Sequence, residues 1–309
     1  MPTKITKIHD KFTKELLSDR MVAIDFFKEF LSPKLLDFIK IETLESQPTT
    51  YISENLKETF SDIVWRVETP RSSVQICLLL EHKSYKDSAV MFQIMEYLAQ
   101  AYQLQLKNKV KNLELIVPIL YYHGKEKWKP KTLEESFKKY PDFLIKYLPL
   151  FTTEYIDLGK LSTEQLLNLQ NGMLASAMTI QRHYFDSQVI MDNFTNIIKT
   201  LEPYLEMNLG YSTFVYMMHS LNISEAIFNQ KVEEIPNNLT DKIMSLYDQL
   251  IEKGIRRGIE EGRVAGIEEG IEQTILNAHA EGIDLNTIRI ITGKSIEKIK
   301  DILKEKGRL

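Results

Sequence analysis

The chain has 309 residues, of which 43% are apolar and 27% charged, so it can bury the core of one large or two modest globular domains. Its formal net charge of -4 excludes the overall attraction to polyanions that a basic DNA-binding domain shows. The single cysteine, Cys77, excludes an intramolecular disulfide framework and lies in an apolar run, so we expect a buried thiol and a reducing, bacterial-type cytoplasm. The charged N-terminus lacks a signal-peptide core and the longest apolar runs are too short for a bilayer, so no membrane contact is expected.

The first 60 residues are predicted to be mostly helical. Residues 10–31 favour one or two helices, with Asp10 and then Ser18 or Asp19 as N-caps. Pro33 follows Ser32 and ends this run. A short helix and an irregular approach are expected between residues 34 and 60.

Two β-like stretches, residues 60–68 and 74–82, come next and are separated by a turn-forming segment that contains Pro70. A hairpin is the simplest connection between them. Residues 88–106 have apolar side chains at helical spacing, and residues 113–122 form a buried apolar run typical of a strand. This order predicts an α/β fold in which the helix crosses over, so that the last strand lies parallel to the one before it.

Three charged residues lie at the ends of these strands. Asp62 stands at the start of the first strand, and Glu81 and Lys83 stand at the end of the second. Strand alternation puts Glu81 and Lys83 on one face, and pairing of the two strands would bring Asp62 close to both. A surface carboxylate and an exposed Glu-Lys pair are the simpler alternative, but a charge inside a strand is costly unless it is paired or functional.

This combination of side chains suits a divalent-metal site. Mg²⁺ prefers oxygen ligands and keeps several waters, so one aspartate and one glutamate, completed by a backbone carbonyl and a phosphate oxygen, are sufficient. The bound metal lowers the pKa of a water and neutralises charge in the transition state of phosphodiester cleavage. A neighbouring lysine can orient that water.

These residues resemble the D-x(n)-E-x-K pattern of the PD-(D/E)XK nuclease superfamily. Four blocks in chain order, residues 9–19, 60–62, 80–84 and 122–128, are also similar to the Rpn family of recombination-promoting nucleases, whose members are also labelled transposases. The resemblance implies a restriction-endonuclease-like core, in which a mixed central sheet is flanked by helices. It implies Asp62 and Glu81 as ligands of Mg²⁺, with Mn²⁺ as a substitute, and Lys83 as a catalytic residue. Many members carry glutamine where this chain has Lys83, and Ser61 replaces the proline of the superfamily name.

Weaker signals surround this pattern. Gln93 and Tyr97 resemble the Q-x-x-x-Y motif of RecB-like nucleases and share a helix face, which predicts contact with DNA, although a plain helix surface is the alternative. Glu54 is a possible third metal ligand or a solvated loop carboxylate. Lys125 and Lys127 belong to a lysine-rich stretch that is either a DNA contact or an ordinary surface.

The histidines are expected to be structural. His9 caps or packs the first helix, or contacts the neighbourhood of the site. His82 points to the strand face opposite Glu81 and Lys83, where packing is expected, and His123 begins a tight turn with Gly124.

We expect three segments: a nuclease core at residues 1–150, a helical extension at 151–240, and a tail at 241–309 that mediates oligomerisation. Glycines recur every four residues from Gly254 to Gly270, and each costs a helix roughly 1 kcal/mol against alanine. Close packing on a second helix would offset this cost, so a homodimer through residues 250–275 is predicted, with a weakly ordered linker as the alternative. Two short helices joined at residues 292–294 should follow, with Ser295 as the cap of the second; they form a packing hairpin or, alternatively, a helix-turn-helix.

The predicted function is that of a Mg²⁺-dependent endonuclease that hydrolyses DNA, in recombination, mobile-element or defence biology. The alternative is a catalytically inactive DNA-binding or assembly protein of transposase-like origin.

Overall fold

The computed structural model describes residues 4–47, 63–70, 75–221 and 223–309, with side chains from residue 8 onward and, in the second hairpin strand, from residue 80. Asp62 and Glu54, two of the predicted metal ligands, lie outside the described residues. The chain divides into two compact units, Met1–Thr240 and Asp241–Leu309.

A five-stranded mixed sheet forms the centre of the first unit, in the order β1-β2-β3-β4-β5 among the described residues. The strands are β1 (Lys40–Gln47), β2 (Ile63–Glu68), β3 (Gln75–Lys83), β4 (Leu115–Tyr122) and β5 (Glu154–Asp157). β1 and β2, and β2 and β3, pair antiparallel, whereas β4 is parallel to both β3 and β5. The predicted hairpin, crossover helix and parallel strand are therefore confirmed.

Helices cover both faces of the sheet. The crossover helix α4 (Val90–Lys107) packs on one face, where its residues Ile94 and Tyr97 bury against β2 and β4. The opposite face carries α1 (Lys4–Ser18), α2 (Arg20–Phe30) and α8 (Gly172–His183). This arrangement of two helical layers around a mixed sheet confirms the predicted α/β fold class.

Asp10 is not the N-cap of the first helix, because α1 begins at Lys4 and Asp10 lies inside it, whereas the second predicted boundary is confirmed. Asp19 is the N-cap of α2, and its carboxylate accepts hydrogen bonds from the backbone N–H groups of Met21 and Val22. Pro33 is the first residue of α3 (Pro33–Phe38), where its missing N–H costs nothing. The chain thus needs only Leu31 and Ser32 to turn from one helix to the next.

β1 was missed because its apolar residues do not alternate. Ile41 and Leu44 are both buried although they are three residues apart, and the pairing of β1 with β2 shifts register between Lys40 and Glu45. Such an irregularity breaks the period of two on which strand recognition depends. β5 was also missed, because four residues carry too little pattern to be recognised.

The remaining described elements of the first unit are helices and 3-10 turns. These helices are α5 (Leu133–Ser136), α6 (Asp142–Ile145), α7 (Thr163–Leu167), α8, α9 (Ser187–Asp192), α10 (Phe194–Leu201), α11 (Asn208–Ser220) and α12 (Glu225–Glu233), with single 3-10 turns at Leu158–Lys160 and Glu202–Tyr204. α7, α9, α10 and α11 pack against α8, whose residues from Met173 to Gln181 are all buried.

The glycine-rich segment forms one continuous helix, α13 (Asn237–Ala280), of 44 residues. A Cβ atom added at any of the five glycines from Gly254 to Gly270 would meet nothing within 4 Å. Three isoleucines of the same segment are at least half exposed: Ile255, Ile259 and Ile267.

The second unit closes with the predicted pair of helices, α14 (Leu285–Thr292) and α15 (Ile296–Glu305). Gly293 ends α14 in the left-handed conformation with φ of 68°, and the Ser295 side chain caps α15 by accepting a hydrogen bond from the backbone N–H of Lys298. Ile275, Ile288 and Ile299 bury a small core between the two helices and the end of α13. The two predicted helices are therefore present, and the choice between a packing hairpin and a helix-turn-helix stays a prediction.

None of the described helices is both long and apolar enough to cross a membrane.

Candidate active site

Glu81 and Lys83 lie near the C-terminal end of β3, on the sheet face that α4 covers. β3 pairs with β4 so that Glu81 stands beside Leu120 and Lys83 beside Tyr122. Both side chains are almost completely buried, with 5% of Glu81 and 8% of Lys83 exposed. The predicted placement of the two residues on one face of a strand is therefore what the structure shows.

The ammonium group of Lys83 is enclosed by three side-chain oxygens. Its Nζ atom lies 2.9 Å from Glu81 Oε1, 3.0 Å from Asp87 Oδ2 and 2.9 Å from Gln93 Oε1. Glu81 belongs to β3, Asp87 to the turn that follows it, and Gln93 to the first turns of α4. The sheet, the turn and the crossover helix thus all direct oxygens toward one point.

Electrostatics keep Lys83 charged in this environment. Burial lowers the pKa of Lys83, but the Glu81 and Asp87 carboxylates outweigh it and raise the pKa above its ordinary value. A buried ammonium without these partners would instead lose its proton. The lysine is therefore a fixed positive charge at neutral pH.

The oxygens around Lys83 are of the kind that a hard cation prefers. Carboxylate and amide oxygens suit Mg²⁺, and the site already stabilises one cationic group. Within the described part of the chain, however, no group of three or more His, Cys, Asp or Glu side chains is arranged to hold a metal ion. Glu81 and Asp87 fit a metal site in their chemistry but do not complete one on their own.

Asp87 is the site residue that sequence reasoning missed. Only 12% of its side chain is exposed, and its second carboxylate oxygen accepts a hydrogen bond of 2.8 Å from the backbone N–H of Ala89 just before α4. An aspartate three residues before a helix start is common in turns, where its side chain accepts a hydrogen bond from a nearby backbone N–H, so it carried no separate signal. The one available hint was its position four residues after Lys83. This spacing brings the two side chains together only because the chain turns after β3.

The other predicted site residues are placed as follows. Gln93 contacts Lys83, whereas Tyr97 is completely buried and packs with Val64, so its role in the described structure is packing and a DNA contact stays a prediction. Lys125 and Lys127 are exposed on the segment that follows β4.

Three histidines meet on the opposite face of the sheet. The ring of His123 lies 4.8 Å from those of both His9 and His82, measured between centroids. His82 contacts the Asp10 carboxylate at 3.1 Å, and His9 contacts the Tyr216 hydroxyl at 2.6 Å. The predicted packing roles of His9 and His82 are thus supported, and His123, expected in a turn, is a core residue.

Burial keeps two histidines of this cluster, His9 and His123, uncharged at neutral pH. It lowers the pKa of His9 to about 4, with a further decrease from the charge of His82 and an opposing increase from Asp10. It also lowers the pKa of His123 well below its ordinary value. The cluster joins α1 to the strand that carries Glu81 and Lys83.

Comparison with known proteins identifies relatives of this chain. The chain is 24% identical over 259 residues to the Inactive recombination-promoting nuclease-like protein RpnE of Escherichia coli K12, which covers 82% of this chain and 85% of that protein. It is 32% identical over 125 residues to the Recombination-promoting nuclease RpnA of the same strain, covering 40% of this chain and 43% of that protein. It is 30% identical over 117 residues to the Recombination-promoting nuclease RpnD of Escherichia coli O157:H7. This alignment covers 38% of this chain and 45% of that protein.

No solved structure matches the chain. The profile of the family described as "Putative transposase, YhgA-like" matches residues 7–208, which include the whole sheet and the surroundings of Lys83. The chain therefore belongs to this YhgA-like transposase family, the family of the recombination-promoting nucleases.

Proposed function

We propose that the protein is a metal-dependent endonuclease that hydrolyses phosphodiester bonds of DNA. Asp62 and Glu81 would hold Mg²⁺, or Mn²⁺ in its place, through carboxylate oxygens, and Glu54 is a candidate for a further ligand. The register of the hairpin supports this choice of ligands, because Ile63, which follows Asp62 in the sequence, pairs with Leu80, which precedes Glu81. Relatives named nucleases support the reaction class.

The observation that carries this proposal is the enclosed, charged Lys83. A lysine that is 8% exposed, fixed by Glu81, Asp87 and Gln93, is costly to bury and has no evident role in packing. Its ammonium would orient the attacking water and stabilise the phosphate oxygens, while Asp87 and Gln93 hold it in place. The metal, when bound, supplies a water of lowered pKa and neutralises charge on the scissile phosphate.

A second candidate is a catalytically inactive DNA-binding or assembly protein of transposase-like origin. One observation favours it: the relative that aligns over 82% of the chain is named inactive. The two candidates differ in one property, because only the first requires the carboxylates of Asp62 and Glu81 for an observable reaction.

Plasmid nicking distinguishes the two candidates. Supercoiled plasmid incubated with the protein and Mg²⁺ or Mn²⁺ should be converted to open-circular and linear forms, and EDTA should prevent this. Asp62→Ala and Glu81→Ala should each lower the rate at least about 100-fold, the usual loss when a group that stabilises the transition state is removed. Absence of cleavage, or equal cleavage by both variants and the wild type, contradicts the proposed site.

We further propose that the protein is a homodimer through residues 250–275. The five glycines and the exposed Ile255, Ile259 and Ile267 lie on a continuous helix, and close approach of a second copy would offset the helix cost of the glycines. This proposal continues the prediction from the sequence, and the nuclease proposal does not depend on it.

Replacing Gly258 and Gly262 with leucine tests the dimer. Leucine favours the helix by roughly 1 kcal/mol over glycine, so the fold should remain while close approach is blocked. Light scattering should give twice the chain mass of 36.1 kDa for the wild type and a single chain mass for the double variant. A wild-type monomer, or an unchanged dimer in the variant, rejects the glycine surface as the interface.

A further inference from the structure

The chain that follows β4 leaves the sheet beside the candidate active site. Lys83 pairs with Tyr122 at the ends of two parallel strands, and the backbone N–H of His123 donates a hydrogen bond of 3.1 Å to the carbonyl oxygen of Lys83. An ion pair of 2.5 Å between Lys86 and Glu126 joins the segments after β3 and β4. The segment between β4 and β5 therefore begins next to Lys83, which is proposed to act in DNA cleavage.

Aromatic rings continue this connection outward. Phe92 precedes Gln93, which contacts Lys83, and its ring centroid lies 6.3 Å from that of Phe137. The ring of Phe137 in turn lies 6.1 Å from that of Tyr140. A path of neighbouring rings thus leads from the first turns of α4 to the region around α6.

That region carries large side chains which are not covered. Tyr140, Phe143 and Tyr147 are 46%, 66% and 73% exposed. We call these three residues, together with Lys139 and Lys146, the Lys-Tyr surface. Three exposed aromatic rings within eight residues are unusual for a surface without a partner.

Each exposed tyrosine of the Lys-Tyr surface has a lysine beside it. The Nζ atom of Lys139 lies 5.3 Å from the ring centroid of Tyr140, and that of Lys146 lies 5.2 Å from the centroid of Tyr147. The two pairs are seven residues apart in the chain. Residues 123–153 contain seven lysines and four acidic residues, in a chain whose net charge is -4.

We infer that the Lys-Tyr surface binds single-stranded DNA and guides it toward Glu81 and Lys83. A single strand exposes base faces that can stack on Tyr140, Phe143 and Tyr147, and the adjacent ammonium groups can contact its phosphates. A duplex hides its base faces in its own stack, and an apolar protein partner would gain nothing from the lysines. This inference rests on the proposed nuclease function for its choice of DNA, and it adds the strand form of the substrate and the surface that binds it.

Fluorescence anisotropy of a labelled oligothymidine of about 16 nucleotides tests the inference. The measurement is made in EDTA, so that binding is observed without cleavage. Tyr147→Ala should weaken binding about tenfold, and Tyr140→Ala combined with Tyr147→Ala about a hundredfold, because each ring loses one stacked base. Lys146→Gln should weaken binding and reduce its dependence on salt concentration by about one phosphate contact.

Matched variants separate stacking from general hydrophobic contact. Tyr147→Phe keeps the ring and should bind like the wild type, whereas Tyr147→Leu keeps apolar bulk without a ring and should bind like Tyr147→Ala. Phe38→Ala removes an aromatic side chain that is 45% exposed on α3 and should change nothing. Circular dichroism of each variant verifies that the fold is retained.

Several outcomes would overturn the inference. These are unchanged binding by the tyrosine variants, equally tight binding of a duplex of the same length, and tighter binding of single-stranded RNA than of DNA. A further one is a change of chain mass in solution on Tyr147→Ala with DNA binding intact, which would assign the surface to a protein contact. Binding through these rings without cleavage of either the plasmid or a single-stranded circular DNA in Mg²⁺ would reject the nuclease function alone, and cleavage without such binding would reject this inference alone.

Discussion

Replacement of Lys83 with methionine should lower the free energy of unfolding by roughly 3–5 kcal/mol and abolish plasmid cleavage. Methionine has similar length and no charge, so it fills the space but leaves the buried Glu81 and Asp87 carboxylates facing each other without a cation. Removing one partner of a buried ion pair is costly because the remaining charge is neither solvated nor compensated. The melting temperature should fall by roughly 10 °C.

The same variant reports on the affinity of the site for metal. Because the oxygens of Glu81 and Asp87 lose their cation, Mg²⁺ should raise the melting temperature of Lys83→Met more than that of the wild type. Asp87→Asn in the Lys83→Met background should recover part of the lost stability, because it removes one of the two opposed carboxylates.

A matched control is available at the surface. Lys28 pairs with Glu42 at 3.5 Å, but about half of its side chain is exposed, so Lys28→Met should change the free energy of unfolding by less than about 1 kcal/mol. If Lys83→Met were as stable as this control, the enclosed lysine would not be an electrostatic requirement of the fold.

Acid should destabilise the protein through the histidine cluster. His9 has a pKa of about 4 in the folded protein, against an ordinary value of 6.5, because it is buried beside His82 and Tyr216. Its contribution to stability is fully present above pH 6.5, where both states are neutral. Between pH 6.5 and 4 the unfolded chain binds the extra proton, so this contribution decreases and is lost as the pH falls through about 4.

The size of this effect is about 3 kcal/mol for His9 alone. His123, whose pKa is also lowered by burial, acts in the same direction. Urea denaturation at several pH values between 7.5 and 4.5 should show the free energy of unfolding falling steadily below pH 6.5. His9→Gln retains a polar group for Tyr216 and should make the slope shallower by about one proton. A slope equal to that of the wild type would show that His9 is not the group responsible.

Features that depend on neighbours in the chain were predictable from the sequence. The N-caps Asp19 and Ser295 and the left-handed Gly293 depend on local backbone geometry. The apolar runs of β2, β3 and β4, and the helical period of α4 between them, were sufficient for the hairpin and the parallel crossover. The common face of Glu81 and Lys83 follows from strand alternation alone, which is why this part of the site could be derived.

Only the tertiary structure decided which groups surround these residues. Asp87 and Gln93 meet at Lys83 because a turn and a helix return over the strand, and nothing in their spacing specifies the distance at which they do so. His9, His82 and His123 come from α1, β3 and the end of β4, and they meet because the sheet order and the packing of α1 bring distant segments together. By itself the sequence determined β2, β3 and β4, the caps of α2 and α15 and the face that carries the charges, since these are local. The partners of those charges depend on contacts between distant residues, which exist only once the chain is packed.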